Sequence, residues 1–134
     1  VDRKKMSVTT RAPRSAITHW KVRESFIGAA FLEVDIRTGR THQIRVHCHA
    51  MGHPVIGDTV YCRRREKKRL TTAVPQMAPG VGDITRQMLH AWKLSFLHPK
   101  TGKTLTIEAP IPADMAALIA EFRKWAAGNG FDNR

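Results

Sequence analysis

The sequence is short of cysteine. Cys48 and Cys62 are the only two among 134 residues, too few for a disulfide scaffold and in keeping with a reducing cytoplasm. Acidic residues are also scarce, 11 against 23 Lys+Arg, which leaves a formal charge of +12. No apolar run approaches the ~20 residues that a helical membrane span needs. The opening Val1-Asp2-Arg3-Lys4-Lys5 lacks the apolar core of a signal peptide, so secretion is unsupported. What is present fits a globular chain: 42% hydrophobic and 25% charged residues, in a length that allows one domain or part of one. The basic excess makes nucleic acid the leading partner class. Charge alone does not separate RNA from DNA or from an anionic membrane surface.

The pattern along the chain predicts an α+β domain: a mixed, mainly antiparallel sheet, a basic helix and a C-terminal amphipathic helix. Residues 1–14 read as an exposed basic arm. From Ser15 to Arg23, Ala16, Thr18, Trp20 and Val22 alternate with Ile17, His19, Lys21 and Arg23, a strand pattern. Leu32, Val34 and Ile36 form a second strand, so the two make a hairpin through Glu24–Gly28. Leu89–Leu97 and Leu105–Ala109 predict another hairpin around the turn at 98–103. Met115, Leu118, Ile119, Phe122 and Trp125 recur at helical spacing, with Gly128 beyond the end. Residues 63–85 hold the run Arg63–Arg69 followed by prolines and glycines, the mark of a basic, mobile surface insertion.

Thr41 is the expected N-cap of a helix reaching Met51, with Gly52 as its stop. At ~100° per residue Ile44, Cys48 and Met51 share a core stripe. His42, Arg45 and His49 share another that is polar and basic. The cluster of histidines with Cys48 and Cys62 matches no closed zinc spacing, so no metal is expected. Trp20, Trp92 and Trp125 are expected in the core rather than as base-stacking platforms.

Arg37-Thr38-Gly39-Arg40-Thr41-His42-Gln43-Ile44-Arg45-Val46-His47, then Gly52-His53-Pro54-Val55-Ile56-Gly57-Asp58 and Tyr61, resembles a signature of the RluA-type RNA pseudouridine synthases. Arg86-Gln87-Met88-Leu89-His90-Ala91, Phe96-Leu97-His98-Pro99 and Ala109-Pro110-Ile111-Pro112 are similar to further blocks of that family. So are Arg3-Lys4-Lys5-Met6 and Ala16-Ile17-Thr18-His19. The resemblance spans nearly the whole chain outside 63–85.

It implies an enzyme that flips a uridine out of structured RNA, with ribosomal RNA as the expected substrate, and moves its glycosidic bond from a ring nitrogen to a ring carbon. No cofactor or metal takes part. An aspartate in an Arg-Leu-Asp motif, upstream of the signature, starts the reaction. Asp2, Asp35, Asp58, Asp83, Asp114 and Asp132 all lie outside such a context, and the family uses the aspartate at Asp58 structurally. The chain, which does not begin with Met, is thus expected to be the C-terminal part of a catalytic domain, 1–134, inactive alone. By resemblance Arg45 is the arginine that pairs with the catalytic aspartate, a partner absent here. Arg40, Thr41, His42 and Gln43 would meet RNA, and Ile44 would line or underlie the uracil pocket. The alternative is a non-catalytic RNA-binding module on the same fold. An open sheet edge in such a half-domain would allow dimerisation or a domain swap.

Overall fold

The computed structural model describes residues 15–26, 28–62 and 84–128. The expected basic arm and nearly all of the 63–85 insertion lie outside the described residues. Six elements follow in order: β1 Thr18–Phe26, β2 Ala29–Ile36, α1 Gln43–Ala50, β3 Lys93–Leu97, β4 Thr104–Glu108 and α2 Ala113–Gly128. The α+β class holds. The strands form two separate antiparallel ribbons, β1–β2 and β3–β4, rather than one mixed sheet among the described residues.

Trp20 faces Val34 and Val22 faces Leu32 across the first ribbon, but beyond Val22 the register slips and Phe26 faces Ala29. Cross-strand partners share a face. The slip therefore turns the even-numbered side chains of β1 to the opposite side at the hairpin's closed end. This lets one ribbon serve two helices. Thr18, Trp20, Leu32 and Val34 border a crevice shared with His47, Cys48 and Met51 of the α1 segment. On the other face Phe26 stacks on Phe122 of α2, centroids 5.2 Å apart. There Arg123 grips the Glu24 carboxylate at 2.8 and 2.5 Å.

The C-terminal helix begins after Pro110 and Pro112, as their missing N–H groups favour. It buries Leu118, Ile119, Phe122 and Ala126. Phe26, Ala29, Ile56, Ile84 and Met88 close around Leu118 and Phe122. Met88 N–H donates to the Ile56 carbonyl at 2.7 Å, so residues 84–92 run as an irregular strap and β3 starts later than Leu89. Arg86 anchors that strap to α2 through both Asp114 carboxylate oxygens, at 2.8 and 2.6 Å.

Three expectations need correction. The N-cap of α1 is His42, not Thr41, and its side chain makes no capping bond. The core stripe is displaced: α1 buries Gln43, Arg45, Val46 and Cys48, while Met51 is exposed. The helix is flanked on more than one side, by the ribbon and by the 55–61 loop, so burial follows no single stripe. Trp20 and Trp92 are exposed, at 51% and 39%, because Trp20 lies on a ribbon face and Trp92 at the end of the strap, where no described element fully covers either. The stop at Gly52 is as expected. Its φ of 79° allows Gly52 and His53 to donate to the carbonyls of His49 and Cys48, a Schellman ending.

Candidate functional site

The signature folds as a turn, a short helix and a returning loop, and two side chains hold these together. Gln43 is the first. Its Nε2 donates to the Ile17 carbonyl and to Thr18 Oγ1, both at 2.9 Å. Its Oε1 accepts from Thr38 Oγ1 at 2.7 Å and from the Arg40 N–H at 3.1 Å. A buried amide needs such partners. Here they tie the start of β1, the 38–40 turn and the start of α1 into one unit. Gln43 is 5% exposed and fully occupied, so nothing of its amide is left for a ligand.

Arg45 is the second. Its Nε donates to Asp58 Oδ2 at 2.7 Å and its Nη2 to Asp58 Oδ1 at 2.8 Å, with both side chains out of solvent. Asp58 is presented by the turn after Gly57, and its Oδ1 also accepts from the N–H groups of Val60 and Tyr61. Burial pushes the Asp58 carboxyl up. The Arg45 hydrogen bonds, the two backbone donors and the guanidinium charge outweigh it and hold the group at about 2. Those same hydrogen bonds raise Arg45 against the cost of its burial. Gly57 has φ +77°, and a Cβ there would collide with the Arg86 carbonyl and the Ile84 side chain.

The polar stripe converges on Tyr61. The Arg45 guanidinium lies over the Tyr61 ring, 5.0 Å from its centroid. His42 meets the ring edge-on and its Nδ1 is 3.1 Å from the Tyr61 hydroxyl. His49 packs at a tilt 6.2 Å from the same ring. His42 has φ 55°, the one positive value at a non-glycine among the described residues. A backbone held there stores strain that the surroundings must impose.

Beside this cluster is a polar cavity of about 320 Å3, lined by Arg45, Gly57, Thr59, Thr85, Arg86, Gln87 and Leu89. Arg45 Nη1 has no hydrogen-bond partner among the described residues. One edge of a buried, oriented guanidinium is therefore unspent where a further carboxylate could meet it. Arg40 and Thr41 are exposed on the approach to α1; His42 and Ile44 are half-buried. No group of three or more His, Cys, Asp or Glu among the described residues could hold a metal ion.

The sequence pointed to Arg45 and to the His42–Arg45–His49 stripe, but not to the Arg45–Asp58 pair or to Tyr61 as its floor. The available signal was physical: an arginine inside a helix that must bury its flanks requires a carboxylate, and Asp58 stood in the same signature.

A family model described as RNA pseudouridylate synthase matches residues 1–50. Over nearly all of its length the chain is also similar to curated RNA pseudouridine synthases. It is 42% identical over 123 residues to a ribosomal large subunit pseudouridine synthase D from Nitrosomonas europaea, covering 92% of this chain and 33% of that protein. A Vibrio cholerae protein of the same name is 42% identical over 117 residues, 87% of this chain and 35% of its own. An RNA pseudouridine synthase from Bacillus subtilis, YlyB, is 42% identical over 123 residues, 92% and 35%. The chain spans about a third of the length of the relatives it matches.

Proposed function

We propose that this chain supplies the Arg45-bearing portion of an enzyme that isomerises uridine to pseudouridine in structured RNA, with ribosomal RNA as the first substrate to test. The observation that carries it is the guanidinium of Arg45, buried, fixed by Asp58 and unspent at Nη1 beside a polar cavity. A catalytic carboxylate delivered to that edge would be kept ionised and aimed, since a cation within ~4–6 Å favours the charged form. Asp58 cannot serve, because its two oxygens already take four hydrogen bonds. The aspartate comes from polypeptide outside this sequence, so the chain alone does not turn over.

Arg40, Thr41 and the half-buried His42 form the RNA-facing side of the turn, where phosphate contacts fix register. Gln43 acts behind them by holding the turn. Ile44 borders the base. The names of the relatives, ribosomal large subunit pseudouridine synthases among them, support the choice of RNA.

The test is tritium release from RNA labelled at uracil C5, the position that loses its hydrogen when the glycosidic bond moves there. The chain alone is expected to release none. The same chain replacing the matching third of the Nitrosomonas europaea protein is expected to release tritium. Release by the isolated chain would overturn the missing-carboxylate reading. Tight RNA binding without release by the joined protein would favour the non-catalytic module.

A further inference from the structure

The turn that joins β3 to β4 is short and closely pinned. His98 N–H donates to the Lys103 carbonyl and Gly102 N–H to the His98 carbonyl, both at 2.9 Å. His98 Nδ1 accepts from the N–H groups of Lys100 and Thr101, at 3.2 and 3.3 Å. The Thr101 hydroxyl accepts from the Lys103 N–H at 3.4 Å. Pro99 has its φ fixed by its ring, and Gly102 supplies the left-handed residue at φ 65°. Because His98 Nδ1 accepts twice, the proton of the neutral imidazole sits on Nε2. Residues 99–103 are exposed and His98 is half-buried.

The turn also holds charge that no carboxylate balances. Lys93, Arg123 and Lys124, like most described lysines and arginines, pair with a carboxylate. Among the described residues Lys21, Arg40, Lys100 and Lys103 do not. Lys21 stands opposite Glu33 in the ribbon register, and Arg40 belongs to the site already described. The unbalanced positive charge that remains is the two lysines of the 98–103 turn. At about 3.4 Å per residue, the five residues of β3 carry that turn roughly 17 Å beyond the strap bordering the Arg45 cavity.

We propose that the 98–103 turn is a second RNA contact, holding backbone phosphates outside the target nucleotide with the Lys100 and Lys103 ammonium groups and the His98 Nε2–H. The choice of RNA rests on the functional reading above; the turn adds where else the substrate is held. Phosphate oxygens offer acceptors and negative charge, and these three groups supply donors, two of them cationic. Hydrogen bonds set the turn before RNA arrives, so little backbone ordering is left for binding to impose.

The test is the affinity of the full chain for a labelled structured RNA, read by fluorescence anisotropy over a range of salt. Lys100→Ala with Lys103→Ala is expected to weaken binding about tenfold at low salt and to lower the slope of log K against log[salt] by about 1.5–2. Lys93→Ala with Lys124→Ala changes the net charge equally but removes cations that Glu108 and Glu121 already balance. That pair is expected to change affinity less than about twofold. His98→Ala keeps both lysines and unpins the turn, with a loss of about threefold expected. Circular dichroism checks that α2 is retained in each variant. Equal losses from the two lysine pairs would mark a response to net charge alone and overturn the proposal. So would a turn variant that binds as the unaltered chain does, or a turn that prefers anionic phospholipid vesicles to RNA. In the joined protein, turn-dependent RNA affinity without tritium release upholds the contact and removes the proposed function. Tritium release with an affinity indifferent to the turn does the reverse.

Discussion

Arg45 and Asp58 set the residue-scale energetics. The Asp58 carboxyl is held at about 2 when folded, below the ordinary value near 4. A depressed carboxylate pKa contributes stability above the unfolded value and loses it as pH falls through the folded one. The pair's contribution, on the order of 2 kcal/mol, is therefore expected to be intact at pH 5 and above and to fade between about pH 4 and 2. Urea melts across that range check it. Asp58→Asn removes the charge that balances a buried guanidinium and is expected to cost roughly 3–5 kcal/mol, visible as a lowered midpoint at pH 7. Gly57→Ala meets both a left-handed φ and a backbone oxygen. Its expected loss of ~2 kcal/mol or more would show in the same assay. The sequence made Arg45 prominent, yet pairing is a property of three-dimensional return. Thirteen positions separate the two partners, and only the reversal at Gly52 and the turn at Gly57 bring them together.

At the scale of elements, α1 is eight residues long, too short to persist by propensity alone. Gln43 replaces what the cap lacks by bonding to β1 and to the 38–40 turn. Gln43→Ala would leave the Arg40 N–H without its partner and the Ile17 carbonyl with the longer Arg37 N–H bond alone. It is expected to destabilise by about 1–3 kcal/mol and to increase hydrogen exchange in residues 38–44 before other elements. Phe122→Ala in α2 is expected to cost about 3–5 kcal/mol, because Phe122 stacks on Phe26 and closes the small core. Both hairpins and both helices were legible from periodicity, turn residues and the Gly52 stop. The register slip after Val22 was not, since the alternation ends in the polar run Arg23-Glu24-Ser25, which reads as the start of the turn although the strand continues to Phe26 with its faces exchanged. His42 at the N-cap was hidden too: its conformation is imposed by Tyr61 and the 38–40 turn, against its own preference.

The whole molecule is a small core carrying more apolar surface than its described elements cover. Periodicity identified the amphipathic ribbons and the apolar positions each one carries. The charge of +12 predicts RNA affinity that falls steeply with salt. Arg40→Ala is expected to lower the slope of log K against log[salt] by about one phosphate contact. Fluorescence anisotropy with a labelled RNA loop measures it.

The central claim is that Arg45 serves a carboxylate it does not own. Tritium release by the joined protein, compared between Arg45 and Arg45→Lys, tests this most directly. Lysine keeps a charge but lacks the fork that can hold Asp58 and a second carboxylate together. Release is expected to fall by about a hundredfold or more, with RNA affinity and the folded state retained. Unchanged release in the lysine variant would contradict the account.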